Sequence, residues 1–243
     1  MKNSIHFILQ GKGGVGKSLI ASLISDYIKT KEGSLAAFDT DQENTTFQSY
    51  KSLGVKPISL MTESRTIDAK NFDSLIVNLL ENEHPAVVDN GANTFSPLMA
   101  YIVENDVFNM LAESGKKVFI HTIIGGGDNL DDTVNGFSSI AQSAQAPLVL
   151  WLNEYFGSTN TKKGPFLETP LFKNFSENII GSVMLSARNP QTFGVDIKNM
   201  NKYRMTVSEA VDSDKFNIME KQRIKMFGRD VFNQLDEIPF SAV

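Results

Sequence analysis

Four glycines in eight residues, Gly11-Lys12-Gly13-Gly14-Val15-Gly16-Lys17-Ser18, stand between a short apolar run and a stretch of helical period. Glycine so dense is costly inside a helix or strand, and it marks a bend in which successive backbone N–H groups converge. The run before it, Ile5 to Gln10, reads as a strand. After it, Leu19, Ile20, Leu23, Ile24, Tyr27 and Ile28 recur three or four residues apart, which predicts a helix with Gly33 as its stop. A strand, a glycine bend and a helix in that order commit the chain to an α/β fold.

The rest of the chain keeps the alternation. Strand-like runs fall at Ser34 to Phe38, Ala86 to Asp89, Lys117 to Ile124, Pro147 to Leu152 and Ile179 to Leu185. Helical periods cover Asn71 to Glu81, Ser96 to Leu111 and Asn217 to Leu235. Another helix is expected from the N-cap candidate Asp128 to about Ala144, and a short one over Asn44 to Ser52 with Asp41 as a possible cap. The polar stretch Gly157 to Gly164 reads as a surface loop. Strands joined through helices pair in parallel with right-handed crossovers, and continuous apolar strands have both faces covered. The expectation is α/β, a doubly wound, mainly parallel sheet of about seven strands with flanking helices. The 243 residues suit a single domain, 1–243.

Composition excludes several classes. Without cysteine the chain builds no disulfide, thiolate zinc site or self-held iron–sulfur cluster. A net charge of −5 gives no overall basic field for nucleic acid or anionic lipid. No window approaches 18 uninterrupted apolar residues and the N-terminus has no signal-type segment, so the expected location is the cytoplasm.

Gly11 to Ser18 also fits G-x-x-x-x-G-K-[ST], a pattern that chance supplies about once in a hundred chains of this length. A bend of this kind binds phosphate through the backbone N–H groups of Gly11, Gly13, Gly14, Val15, Gly16 and onward to Leu19, helped by the positive end of the following helix. Lys17 would bridge phosphate oxygens and the Ser18 hydroxyl would ligate Mg²⁺. Asp39-Thr40-Asp41 ends the second strand, at the edge where open α/β sheets bind ligands. Asp89 closes an apolar strand and is placed to hold Mg²⁺ through water.

A second lysine, Lys12, is unnecessary in a generic phosphate loop. Lys12-Gly13-Gly14-Val15-Gly16-Lys17-Ser18 resembles the K-G-G-x-G-K-[ST] pattern of the ParA/MinD-type P-loop ATPases. That resemblance implies ATP and Mg²⁺ as cofactors, slow hydrolysis, and an ATP-dependent homodimer in which Lys12 reaches the partner's nucleotide. It also implies that Asp41 positions the attacking water while Asp39 lies nearer Mg²⁺ and its waters. Asn44-Thr45-Thr46 would form a first switch, and Gly91 would belong to a second. The family's usual D-x-P-P is here Asp89-Asn90-Gly91-Ala92. Asn153 matches the family's purine-contacting asparagine, and a turn role is an equal alternative. Asn201-Lys202-Tyr203-Arg204 lacks the Asp of a guanine signature, which favours ATP.

Six further segments in order resemble one branch of that family: Phe7 to Gln10, Asp39 to Asp41, Val88 to Ala92, His121-Thr122, Asp132 to Phe137 and Val149 to Asn153. This branch is plasmid-encoded and associated with conjugative transfer and plasmid maintenance, which implies transfer or partition proteins as partners. A nucleotide-binding scaffold without turnover, or a small-molecule phosphotransferase, are the competing readings. Lys221, Lys225 and Arg229 lie along one edge of the last helix, a possible DNA contact or a solvated face. The acidic tail lacks the basic membrane anchor of some relatives. His6 and His121, on strands, read as satisfied core residues.

Overall fold

The computed structural model describes residues 1–41, 44–60, 67–143, 145–162 and 164–241. Seven strands form one sheet: β1 Ser4–Ile8, β2 Ala36–Asp39, β3 Lys56–Pro57, β4 Ala86–Asp89, β5 Lys117–Gly125, β6 Leu148–Asn153 and β7 Ile179–Leu185. Their order is β3-β2-β4-β1-β5-β6-β7, and every neighbouring pair is parallel. The helices are α1 Lys17–Glu32, α2 Phe72–Glu81, α3 Phe95–Glu104, α4 Val107–Glu113, α5 Leu130–Ser143, α6 Pro170–Phe175, α7 Val195–Lys202, α8 Val207–Asp212 and α9 Ile218–Asp236. This is the doubly wound parallel architecture that the alternation of periods predicts.

The strands divide their side chains between two cores. On β6, Leu148, Leu150 and Leu152 join the core under α2 to α5, whereas Val149 and Trp151 join the core under α1 and α7 to α9. On β4, Ala86 and Val88 face the first core and Val87 the second. With both faces apolar, the pleat repeats but the hydrophobic pattern does not alternate, as a covered parallel sheet requires.

Local chemistry explains where elements differ from the sequence expectation. The helix expected over Asn44 to Ser52 does not form; Thr46 to Ser49 are turns, followed by a 3-10 turn at Lys51–Leu53. Two carboxylates compete for its amides. Asp39 accepts from Asp41 N and Gln48 N at 2.9 Å each, and Asp41 accepts from Asn44 N at 2.9 Å. The Gln48 amide, which a helix would give to the carbonyl four residues back, is thus tied to a side chain, and the remaining backbone bonds close short turns. The helix over Ser96 to Leu111 is two, broken where Asp106 takes a left-handed φ of 48° that Asp tolerates better than most residues. Asp128 is not an N-cap: it lies inside a 3-10 turn, Gly127–Asn129, and α5 begins at Leu130. The expected end at Ala144 lies outside the described residues. α1 stops at Gly33, whose φ is 74°, and Asn217 caps α9 by accepting from Met219 N and Glu220 N.

Candidate functional site

Parallel pairing carries all strand C-termini to one edge of the sheet, and register decides which side chains meet there. Ile8 on β1 is the partner of Asp89 on β4, and Asp89 is the partner of Asp39 on β2. Gly125 on β5 is likewise opposite Asn153 on β6. The central strand therefore delivers the glycine bend between two carboxylates on one side and an asparagine on the other.

The bend turns into α1 through Gly14 at φ 75° and Gly16 at φ 103°, backbone angles that strain any side chain. Space matters as well, since a Cβ on Gly16 would come to 3.1 Å from Asn153 Nδ2. Gln10, fully buried, anchors the start of the loop by donating to Ile123 O at 2.7 Å and Thr133 O at 3.1 Å. Asn153 anchors its middle, donating to Val15 O at 3.0 Å while its own carbonyl accepts from Tyr155 N at 3.1 Å. Each of these is a conformational stake that holds the N–H groups before a ligand arrives. Asn153 thus serves as a turn residue, and it keeps one amide hydrogen and a place in the wall of an adjoining cavity.

Lys17 folds back, donating to Lys12 O at 2.9 Å, and is almost wholly buried. Burial pulls its ammonium below the ordinary lysine value, against the charges of Asp89 and Asp41. Burial likewise drives the Asp89 carboxyl up to about 7, with the Asp39 and Asp41 charges adding and the Ser18 hydroxyl and Lys17 opposing. Asp39 is raised to about 6 by burial, despite its bonds from backbone N–H groups. Asp89 Oδ1 is buried with no hydrogen-bond partner among the described residues. A carboxylate oxygen in that state fits a cation or its water. Among the described residues no three His or acidic side chains are grouped to hold a metal alone. A cation at Ser18 and Asp89 would take its remaining ligands from water and phosphate, as Mg²⁺ does.

Two cavities flank this cluster. One, about 380 Å³, is lined by Gly13, Lys17, Ser18, Asp41, Tyr50 and Arg204 among others. The second, about 320 Å³ and more apolar, is lined by Asn153, Tyr155, Leu185, Pro190, Ile197 and others. Gly14, Gly16, Leu19 and Asn201 line both, so the cavities form one groove across the loop. Of the residues expected from sequence, Gly13, Gly14, Gly16, Lys17, Ser18, Leu19, Asp41 and Asn153 face this groove. Gly11 and Val15 lie on the inner side, with Val15 fully buried.

Lys12 points elsewhere. Its ammonium pairs with Asp132 Oδ2 on α5 at 2.7 Å, both side chains being substantially exposed. The two expected switches meet at Gly91, where an added Cβ would lie 2.9 Å from Asp41 Cγ. Only glycine allows that approach. Asn90, which sequence reasoning passed over, stitches the segments together: its Oδ1 accepts from Thr40 Oγ1 and Thr94 Oγ1 at 2.9 Å each, and it is buried. The only signal in sequence is an amide directly after Asp89, at the open position of the D-x-P-P pattern. The lysines of α9 lie on its outer edge; Lys225 and Arg229 are exposed, and Ile224, Phe227, Val231 and Leu235 are buried. No helix among the described residues is long and apolar enough to cross a membrane.

A parallel sheet whose central strand runs through G-x-x-x-x-G-K-S into α1, with Asp89 and Asp39 ending the next two strands on one side of it, defines a P-loop protein. The chain belongs to the TraL family. It is 37% and 35% identical to two proteins named TraL from Escherichia coli, over 234 residues that span 96% of this chain and 97% of each of theirs. No protein-family profile matches it. Solved structures to which it is similar include the MinD cell division protein of Aquifex aeolicus, at 13% identity and a TM-score of 0.49 over 95% of this chain and 97% of that one. A plasmid partition protein from Borrelia burgdorferi gives 14% identity and a TM-score of 0.42 over 98% and 100%.

Proposed function

We propose that the protein is an ATP-dependent switch of the ParA/MinD type serving plasmid conjugative transfer or plasmid partition. Mg·ATP brings two copies face to face, and slow hydrolysis releases them. The observation that carries this reading is the buried Asp89 oxygen without a partner, beside Lys17 and Ser18 and next to a groove walled by glycine N–H groups. That arrangement is electrostatically incomplete in the free chain and is completed by a magnesium-bound polyphosphate.

The residues divide the work. Backbone from Gly11 to Leu19 binds the phosphates, and Lys17 leaves the Lys12 carbonyl to bridge them. Ser18 ligates Mg²⁺, and Asp89 receives its waters. Magnesium, when bound, neutralises the oxygens on which charge builds as the terminal phosphoryl departs. Asp41 orients the attacking water from across Gly91, and Asp39 holds the first switch by its amides while bordering the metal's water shell. Asn153 borders the purine. Lys12 crosses to the partner's nucleotide. Its pair with Asp132 is exposed and worth about 0–1 kcal/mol, so leaving it costs little. Transfer or partition proteins are the expected partners, DNA contact through Lys225 and Arg229 is compatible with their exposure, and a cytoplasmic location fits the chemistry.

The test is sizing by light scattering without nucleotide, with ADP, with Mg·ATP and with a non-hydrolysable analogue. Dimerisation with the last two alone is expected, together with phosphate release from ATP. Lys12→Ala is expected to lose both. If the variant dimerises and turns over like the parent, Lys12 has no cross-dimer role.

A further inference from the structure

Arg204 stands in the phosphate cavity from an unexpected direction. It comes from the connector between α7 and α8, nearly two hundred residues beyond the phosphate loop, and faces Lys17, Ser18 and Asp41 across the groove. Three observations single it out. First, its φ is 54°, left-handed, the position after a helix C-cap where glycine is the ordinary occupant. An arginine there is strained, and strain of this kind persists only where neighbouring structure enforces it.

That enforcement is visible on both sides. Arg204 N bonds to Asn201 O at 3.1 Å and Met205 N to Met200 O at 3.2 Å, closing the end of α7. Immediately after, Thr206 and Glu209 form a reciprocal capping box on α8, and Ser208 N donates to Asp26 Oδ2 of α1 at 2.9 Å. Asp26 is nearly buried, on the same helix that starts from the phosphate loop. The connector is therefore pinned to α1 itself, which fixes the distance between Arg204 and the loop.

Second, no ion pair among the described residues takes up the Arg204 guanidinium, whereas Arg188 and Arg223 are paired with Asp230 and Asp196. Third, its neighbour is the Tyr50 hydroxyl, which also bonds to Asn201 Oδ1 at 3.3 Å. Tyr50 directly follows the turn Thr46 to Ser49, so Arg204 borders the segment downstream of the first switch as well as the cavity. A strained, half-buried cation without a carboxylate, aimed into a cavity already read as a phosphate site, matches an anionic ligand.

We propose that Arg204 is a phosphate-binding residue, supplied by the same chain, that grips the nucleotide's phosphates from the side opposite the glycine loop. The proposal rests on the reading of the groove as a nucleotide site. A guanidinium suits this task because its planar fork donates to two oxygens at once. Its position beside Tyr50 links the ligand to the turn that follows the first switch, so phosphate binding and the placement of that segment are coupled through one side chain.

Arg204→Gly separates function from structure because glycine accepts the backbone angle freely. Calorimetric titrations of the parent and the variant with Mg·ATP, Mg·ADP and adenosine, with thermal unfolding of each free protein, form the experiment. The expected result is a ten- to hundredfold loss of affinity for Mg·ATP and Mg·ADP, from loss of a charge-assisted bond, with adenosine unchanged. The free variant unfolds at the parent's temperature or about 2–4 °C higher, as strain is relieved. Arg204→Lys, which keeps the charge and loses the fork, falls between the two. Unchanged Mg·ATP affinity in Arg204→Gly, or an equal loss for adenosine, overturns the assignment while the nucleotide reading stands. Failure of the parent to bind Mg·ATP removes both.

Discussion

Two buried polar clusters sit in the same sheet and are built on opposite terms. In the first, Trp151 Nε1 donates to His121 Nδ1 at 3.0 Å, His121 Nε2 meets His6 Nδ1 at 2.9 Å, and His6 Nε2 meets Ser4 Oγ at 2.9 Å. Ser4 in turn donates to Met1 O at 2.6 Å. Indole N–H can only donate, so every proton in the chain is assigned in one direction, and both imidazoles are neutral. Phe119 and Phe240 close over the rings. In the second cluster Asp39, Asp89 and Lys17 crowd the end of the strands, and Asp89 Oδ1 has no partner among the described residues. A satisfied network secures the fold. An unsatisfied one at a cavity is a site waiting for its ligand.

Asp89→Asn separates the clusters most widely. It preserves shape and an acceptor toward Ser18, so the free chain is expected to stay folded with its midpoint little changed. Magnesium-dependent phosphate release is expected to fall by about ten- to a hundredfold, the scale of losing a carboxylate that acts through the metal's waters. Turnover at the parent rate would mean that the orphaned oxygen is not part of the chemistry, and the contrast between the clusters would lose its functional half.

Acid tests the other half. Burial lowers the His6 pKa to about 3, with the nearby N-terminus adding, and places His121 well below its ordinary value. The unfolded chain binds a proton at each ring near pH 6.5 that the folded chain refuses, so their contribution is complete above that pH and is lost as pH falls toward 3. The slope approaches about 1.4 kcal/mol per pH unit for each histidine. Raised carboxylates such as Asp39 and Asp89 act with the opposite sign, adding stability as pH falls through their raised values. The informative measurement is therefore a difference: denaturant unfolding of the parent and of a His6→Phe, His121→Phe double variant from pH 8 to pH 5. The parent's advantage is expected to shrink below about pH 6.5 at that slope. A constant gap would show that the rings titrate normally.

The same contrast explains what could be read in the sequence. Gly11 to Ser18 and the strand ending in Asp89 are local patterns, and the structure places them where spacing alone implied. The sheet was legible for the same reason: Ala86 to Asp89 and Ile179 to Leu185 are uninterrupted apolar runs with breakers beside them. Lys56–Pro57, a two-residue edge strand, has no period to detect. The segment after Asp41 has a helical composition that Asp39 overrules, and no window reveals the pull of that carboxylate on the distant Gln48 amide. Arg204 and Asn90 were invisible as site residues because their roles come from meeting partners brought by other elements. Residues that act through local backbone shape announce themselves; residues that act through tertiary placement do not.

The pair between Lys12 and Asp132 belongs to neither cluster, and it gives the smallest expected effect. At 37% and 57% side-chain exposure, water screens both partners. Asp132→Ala is expected to change stability by less than about 1 kcal/mol and to leave Mg·ATP affinity of the single subunit unaltered. What it changes is the starting point of Lys12. A lysine held by its own subunit must break that contact before it reaches a partner, so its release favours the ATP-bound dimer by at most about 1 kcal/mol per subunit, about thirtyfold in the dimer dissociation constant for the two subunits together. Chemical unfolding and sizing at graded protein concentration measure the two quantities on one variant. A loss of several kcal/mol would make the pair a structural anchor, and a lysine so anchored could not be spared for the partner's nucleotide.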